Sequence, residues 1–202
     1  MRKIVHAAHD GLSMHPIRTL TSREHALYGQ HLLRLSPTDR RLRFNFPADD
    51  AAIEAYVGKL APPRDRILAH FADDLTVVGG VHIAFCRGDV VELAFSVEPA
   101  NKGRGIGTAL FSRAIVFARN RGGRSARTYC LAENREMRRL ARRAGMEVHV
   151  AAGEGEGVLD LPAAAPFTMA GEVLAERAGV CDYGLKSYRQ ALRWHRGERT
   201  AA

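Results

Sequence analysis

The 202-residue chain has room for one domain with an extension, and its 46% hydrophobic and 26% charged residues exclude wholesale disorder, collagen-like repetition and a multi-pass membrane protein. A formal net charge of +8 and a pI near 9.9 attract an anionic partner over a distance, whether nucleic acid, anionic lipid or a phosphate-rich small molecule, without choosing among them. The three cysteines, Cys86, Cys130 and Cys181, fit neither a CxxC metal knuckle nor an obvious disulfide framework, which suits a reducing compartment.

At the start of the chain the basic pair Arg2-Lys3 is followed by an apolar run that His6, His9 and Asp10 interrupt, so no signal-peptide core forms. No apolar stretch reaches the ~20 residues of a membrane helix, and a cytoplasmic protein without a membrane partner is expected. Residues 15–21 read as a short strand, with Ser22 as the N-cap of a first helix carrying Leu27, Leu32, Leu33 and Leu35 and ending at Ser36-Pro37. Residues 49–60 carry Ile53, Tyr56, Val57 and Leu60 on one face and predict a second helix before Pro62-Pro63. Three strands follow at 66–71, 76–85 and 90–97, separated by tight-turn signals, and they predict an antiparallel meander.

The third strand runs into Lys102-Gly103-Arg104-Gly105-Ile106-Gly107 and then a long amphipathic helix with Leu110, Phe111, Ala114, Ile115, Phe117 and Ala118. Residues 125–131 predict a further strand, and 133–144 a helix closed by Gly145. A last hairpin pairs 146–151 with 157–161 around the string Gly153-Glu154-Gly155-Glu156-Gly157. Mixed meander and crossover connections argue an α+β (mixed α/β) fold rather than a doubly wound sheet. The division is a domain over 1–162 and a helical extension over 163–202, whose helices are expected at 170–177 and 183–196 with a frayed end.

A glycine-rich turn at a helix N-terminus gathers unpaired backbone amides at the positive end of the helix dipole, which makes a pyrophosphate cradle. The string here follows a strand and opens a helix. It is not a Walker loop, since no Gly-Lys-Ser/Thr ends it, and the antiparallel strand before it does not suit a Rossmann fingerprint.

Residues 91–146 resemble the GNAT acetyltransferases, nearest to the stand-alone domain of the bacterial protein-lysine acetyltransferase branch. Glu92 to Val97 looks like that family's central strand, Lys102 to Gly107 its Arg/Gln-x-x-Gly-x-Gly/Ala loop, and Asn134 to Gly145 its strand-end asparagine and following helix. The resemblance implies a mostly antiparallel central sheet splayed at the acyl-CoA site, with helices on both faces. It implies acetyl-CoA, or another acyl-CoA, as co-substrate, bound through Val97, Lys102, Gly103, Arg104, Gly105, Ile106, Gly107, Thr108 and Asn134. It implies no metal. A backbone amide near Val97 is expected to meet the thioester carbonyl, and Asn134 either contacts the cofactor arm or caps a helix.

Two departures stand out: Lys102 keeps the cation of the loop's first position without the planar fork, and Ala141 replaces the tyrosine that serves many relatives as general acid. Tyr129, Cys130 or water could protonate the thiolate in its place. Glu92 is the expected general base for direct attack by a primary amine, its alternative being a strand glutamate facing solvent. Residues 35–44 look like the segment bordering the acceptor site, which nominates Arg41, Arg43 and Phe44, or leaves a basic turn with Phe44 in the core.

The arginines of the later helices read mainly as a solvated face, and His70, His82 and His149 lack metal-ligand spacing. The acceptor is a small amine or a protein lysine, and a homodimer is left open. A catalytically silent acyl-CoA sensor is the alternative, and a basic nucleic-acid-binding protein, for which no reading element is present, a weaker one.

Overall fold

The computed structural model describes residues 15–195. The expectations about the leader and the frayed end beyond residue 195 lie outside the described residues. Seven strands form one sheet in the order β1-β2-β3-β4-β5-β7-β6: β1 Ile17–Thr19, β2 Asp65–Phe71, β3 Val77–Phe85, β4 Val90–Val97, β5 Ser125–Leu131, β6 Glu147–Ala151 and β7 Glu154–Asp160. All neighbours are antiparallel except β4 and β5. Their parallel pairing is confined to Val90–Glu92 against Ser125–Arg127, after which β4 runs on to Val97 while β5 stays with β7. The expected meander and the splayed central strands are therefore both present, and the splay opens beyond Glu92.

Helices α1 (His25–Leu33) and α3 (Asp50–Gly58) cover one face, burying Tyr28, Leu32 and Ile53 against Ile67, Ala69 and Val77. Helices α4 (Ile106–Arg119) and α5 (Arg135–Arg143) cover the other, where Leu110, Phe111 and Phe117 meet Ile83, Val91 and Leu93. The period-2 alternation of β4 serves both sides, sending Val91 and Leu93 toward α4 and leaving Ser96 on the α1 side.

The chain places three helices, not two, before the main sheet, because Pro37–Phe44 forms α2. Ser36-Pro37, expected to end the first helix, also begins the next. The Ser36 hydroxyl accepts from the Asp39 amide at 3.1 Å, Pro37 fills the first turn, where no amide donor is needed, and Asn45 closes the helix at φ 64°. The first cap falls one residue earlier than expected, at Thr21, whose amide and hydroxyl donate to Glu24 at 2.9 and 2.8 Å and lead into a short 3₁₀ turn, Ser22–Glu24. The first strand is shorter than expected. In the last hairpin only Ala152 and Gly153 turn, at φ 49° and 84°, and the remaining glycines of the string belong to β7.

Beyond the sheet, two expected helices are one, α6 (Pro166–His195), 30 residues or about 45 Å long. Gly179 is where α6 passes closest to β1, since a Cβ there would lie 2.4 Å from the Ile17 carbonyl oxygen. The docked face is polar: Glu176 accepts from the Thr19 amide at 2.8 Å and from Arg113 at 2.8 Å, and Glu172 from Arg121 at 2.6 Å. Lys186 donates to the Phe71 carbonyl at 2.8 Å.

Candidate active site

The splay between β4 and β5 opens a cleft of about 370 Å³ walled by β4, the glycine loop, α5 and α2. At its centre Phe95 stacks on Phe111 of α4 with ring centroids 4.9 Å apart, so aromatic packing rather than a strand ladder fills the base of the wedge. Of the residues expected to bind co-substrate, Val97, Lys102, Gly103, Gly105, Ile106, Gly107, Thr108 and Asn134 all line this cleft. Arg104 does not. Its carbonyl accepts from His15 Nε2 at 2.6 Å instead.

Gly103 and Gly105 adopt φ of 74° and 90°, a conformation open to glycine and strained for other residues. Gly105 is the N-cap of α4 and has no side chain with which to cap it. The first amides of the helix therefore keep their donors for a ligand, under the positive end of a 14-residue dipole. Four cations, Arg43, Lys102, Arg139 and Arg143, face two carboxylates, Asp39 and Glu136, so the cleft is net positive. An extended ligand carrying several phosphates fits this donor set.

Lys102 donates to Asp39 at 2.6 Å and lies 3.5 Å from Glu136. Partial burial works to lower its pKa, but the two carboxylates outweigh it and hold the ammonium above its usual range. Asp39 is itself set by the Ser36 hydroxyl, which donates to its Oδ2 at 2.6 Å. Asn134 caps α5 by accepting from the Met137 amide at 3.0 Å, and lines the cleft as well, so both of its expected positions coincide.

The three acceptor-side residues separate. Arg43 lines the cleft and donates to the hydroxyls of Tyr56 at 2.7 Å and Tyr28 at 3.2 Å. Tyr56 in turn meets His82 Nδ1 at 2.7 Å, and His82 Nε2 meets Asp65 at 2.9 Å. Because the Asp65 carboxylate only accepts, His82 carries its proton on Nε2 and Tyr56 donates to Nδ1. Burial raises the Tyr56 pKa and lowers that of His82, which keeps both neutral. Arg41 bonds Glu133 across the cleft mouth, and Phe44 packs edge-on to Tyr56 at 5.2 Å, in the core rather than the cleft.

Glu92 is exposed and lies outside the cleft, in a second hollow with Arg87, Arg127 and Tyr129, directly opposite Arg127 in the parallel register. Tyr129 shares that hollow, Cys130 is buried, and Ala141 is packed into the core at 2% exposure. Sequence reasoning missed Leu35, Asp39, Leu42, Phe95, Ser96, Met137 and Arg139, all of which line the cleft. Glu136, Arg139, Leu140 and Arg143 recur at helical spacing and could have been found as one face of α5. Among the described residues no group of three or more His, Cys, Asp or Glu side chains is arranged to hold a metal ion, and no helix is long and apolar enough to cross a membrane.

No curated protein matches the sequence. Among solved structures, the GNAT domain of PAT from S. lividans is similar with a TM-score of 0.63 at 21% identity, over 72% of this chain and 89% of that one. Spermidine N-acetyltransferase from Vibrio cholerae, solved with CoA and spermine, gives 0.58 at 15% identity, over 72% and 94%. Phosphinothricin acetyltransferase from Sinorhizobium meliloti, in complex with AcCoA, gives 0.57 at 16%, over 74% and 89%. These likenesses establish a shared fold. Residues 30–146, more than half of the chain, match the Acetyltransferase (GNAT) family, and the chain belongs to that family.

Proposed function

We propose that this chain is an acyl-CoA-dependent N-acyltransferase, acetyl-CoA being its natural donor, that acylates a primary amine by direct attack within a ternary complex. The observation that carries this reading is the cationic cleft in which splayed strands and an uncapped helix N-terminus face the same space. Acyl-CoA supplies the activated carbonyl and the thiol leaving group. Amides from Gly103 to Thr108 hold its pyrophosphate, with Lys102 exchanging its carboxylate partners for phosphate. Arg139 and Arg143 complete the anion site, Asn134 reaches the pantetheine arm, and the Val97 amide donates to the carbonyl oxygen as charge develops there.

The acceptor enters beside Arg43, whose guanidinium is fixed by two tyrosines. Glu92, the base suggested by the family pattern, shares the α1 side of β4 with Ser96. It stands four residues upstream, about 13 Å along an extended strand, so a proton would have to travel to it through intervening water. The free thiols of Cys86, Cys130 and Cys181 support a reducing cytoplasm as the compartment.

The acceptor test offers acetyl-CoA with spermidine, phosphinothricin and an Nα-blocked lysine, and follows free thiol. Amine-dependent release supports the transferase, whereas binding of acetyl-CoA without release supports a silent sensor.

We also propose that two copies of the chain associate through α6. Its outward face carries Phe167, Gly171, Leu174, Ala178, Cys181, Leu185, Tyr188 and Leu192, an alternating spacing of four and three residues along one stripe. Phe167, Leu174, Leu185 and Tyr188 are 58–69% exposed, while Glu172, Glu176 and Lys186 bond the body.

A further inference from the structure

We propose that Ser96, His31 and Glu98 form a proton relay that takes the proton from the acceptor amine during acyl transfer, a proposal that rests on the transferase reading above. Ser96 lines the cleft on β4 one residue before Val97, and its Oγ lies 2.9 Å from Nε2 of His31 on α1. The His31 side chain is fully buried, and its Nδ1 faces Glu98 Oε1 at 3.4 Å. Glu98 is gripped in turn by Arg34 Nε at 2.9 Å, and Arg34 is fixed by donating to the Val77 carbonyl at 2.7 Å.

The tautomer follows from the partners. A carboxylate only accepts, so Nδ1 carries the hydrogen and Nε2 presents its lone pair to the Ser96 hydroxyl. A buried imidazole must satisfy both nitrogens, and the partner of Nε2 is a hydroxyl at the wall of the cleft. Here one end of the chain of bonds opens beside the amide expected to meet the thioester, and the other ends on the Glu98–Arg34 ion pair, whose carboxylate is largely covered while Arg34 reaches solvent.

As the amine nitrogen bonds to the acyl carbon, its proton passes to Ser96 Oγ and the Ser96 proton moves to His31 Nε2. The carbon–sulfur bond breaks, the thiolate leaves, and the proton returns from His31 through Ser96 to sulfur. Amide and thiol are the only products, and no further reactant is consumed. Ser96 is thus the catalytic residue, His31 the proton store behind it, and Glu98 and Arg34 position the ring.

The charged groups facing His31 are Glu98 and Arg34, and Tyr28 stacks on the ring at 6.0 Å. Burial lowers the His31 pKa below its ordinary value, with Glu98 pulling partly the other way. The ring is therefore neutral, and able to accept, at neutral pH. Activity should fall as pH drops through that lowered pKa.

The test uses the intact chain, acetyl-CoA and whichever panel amine gives most thiol release. Ser96→Ala should lower kcat by ~10²–10⁴-fold while keeping the acetyl-CoA-induced melting shift. His31→Gln should match it, and Glu98→Gln should move the acid limb of kcat/KM to lower pH, because the carboxylate that favours the imidazolium is gone. Nitrogen NMR of His31 should show a hydrogen on Nδ1. If His31→Gln does not fold, Ser96→Ala decides. Turnover by Ser96→Ala at the wild-type rate overturns the relay, and an acetyl group found on Ser96 by mass spectrometry overturns it in favour of a nucleophile. A loss seen in Glu92→Gln but not in Ser96→Ala returns the role to Glu92. Absence of wild-type release with every amine overturns the transferase reading, and the relay with it.

Discussion

Gly105 concentrates the co-substrate argument in a single residue. At φ 90° it is both the turn and the cap of α4, and a side chain there would strain the backbone, its Cβ lying 3.5 Å from the His15 ring. Acetyl-CoA at a hundredfold excess over its Kd should stabilise the wild-type protein by about 2.7 kcal/mol. Gly105→Glu should abolish that gain, because a strained loop no longer aims its amides at the ligand and an added carboxylate beside them repels phosphate. Scanning fluorimetry checks this, and an undiminished shift in the variant defeats the assignment. A second residue-scale prediction concerns Glu24. Its bidentate bond with Arg18, at 2.6 and 3.1 Å, pulls its pKa from 4.5 to about 2. A folded-state pKa below the unfolded one contributes stability that is full above about pH 4.5 and lost as pH falls toward 2. In urea titrations the gap between wild type and Glu24→Gln should therefore be widest near neutral pH and close toward pH 2. A gap independent of pH would show that Glu24 does not stabilise through its charge.

Among the elements, α2 joins fold to site, since it roofs the cleft and delivers Asp39 to Lys102. Ser36→Ala removes both the N-cap and the hydroxyl that sets Asp39, and should cost about 1 kcal/mol. It should not weaken acetyl-CoA binding, because phosphate replaces Asp39 as the partner of Lys102. Thermal denaturation with and without acetyl-CoA separates stability from binding, and a variant as stable as wild type would remove the cap from the account. The same helix shows what the sequence could and could not reveal. Ser36-Pro37 is legible as a boundary, yet it ends one helix and begins another, and only the Asp at the third helical position marked the second role. The glycine loop and α4 were legible because their chemistry is local, carried by consecutive residues. Ser96, His31 and Glu98 were not, since their contacts join positions 65 and 67 residues apart, which no periodicity encodes. Glu92 is legible by residue type and strand, while the parallel pairing that sets it opposite Arg127 exists only in the folded sheet.

At the scale of the whole molecule the question is why a 30-residue helix bonds the body through Glu172, Glu176 and Lys186 and leaves large apolar residues exposed. The docking side is anchored by charge: Glu176 meets the largely buried Arg113, and Tyr183 packs edge-on to Phe71 at 4.8 Å with the Arg18 guanidinium over its ring. Such a helix is fixed to the body independently of its outer stripe, which remains available to a second copy. Contiguous apolar surface of this kind is uncommon on monomers. The four-three spacing matches the seam of two wound helices, and identical chains present identical seams. Leu174→Asp combined with Leu185→Asp should convert a dimer to a monomer in sedimentation equilibrium, while the acetyl-CoA melting shift survives because the glycine loop is untouched. Deleting residues 163–202 should do more, lowering the melting temperature as well, because Arg113 and Arg121 then lose their carboxylates. The two variants separate the inner face from the outer one. A wild-type protein that sediments as a monomer, or a double variant of unchanged mass, would leave α6 as a brace for β1 and α4 alone.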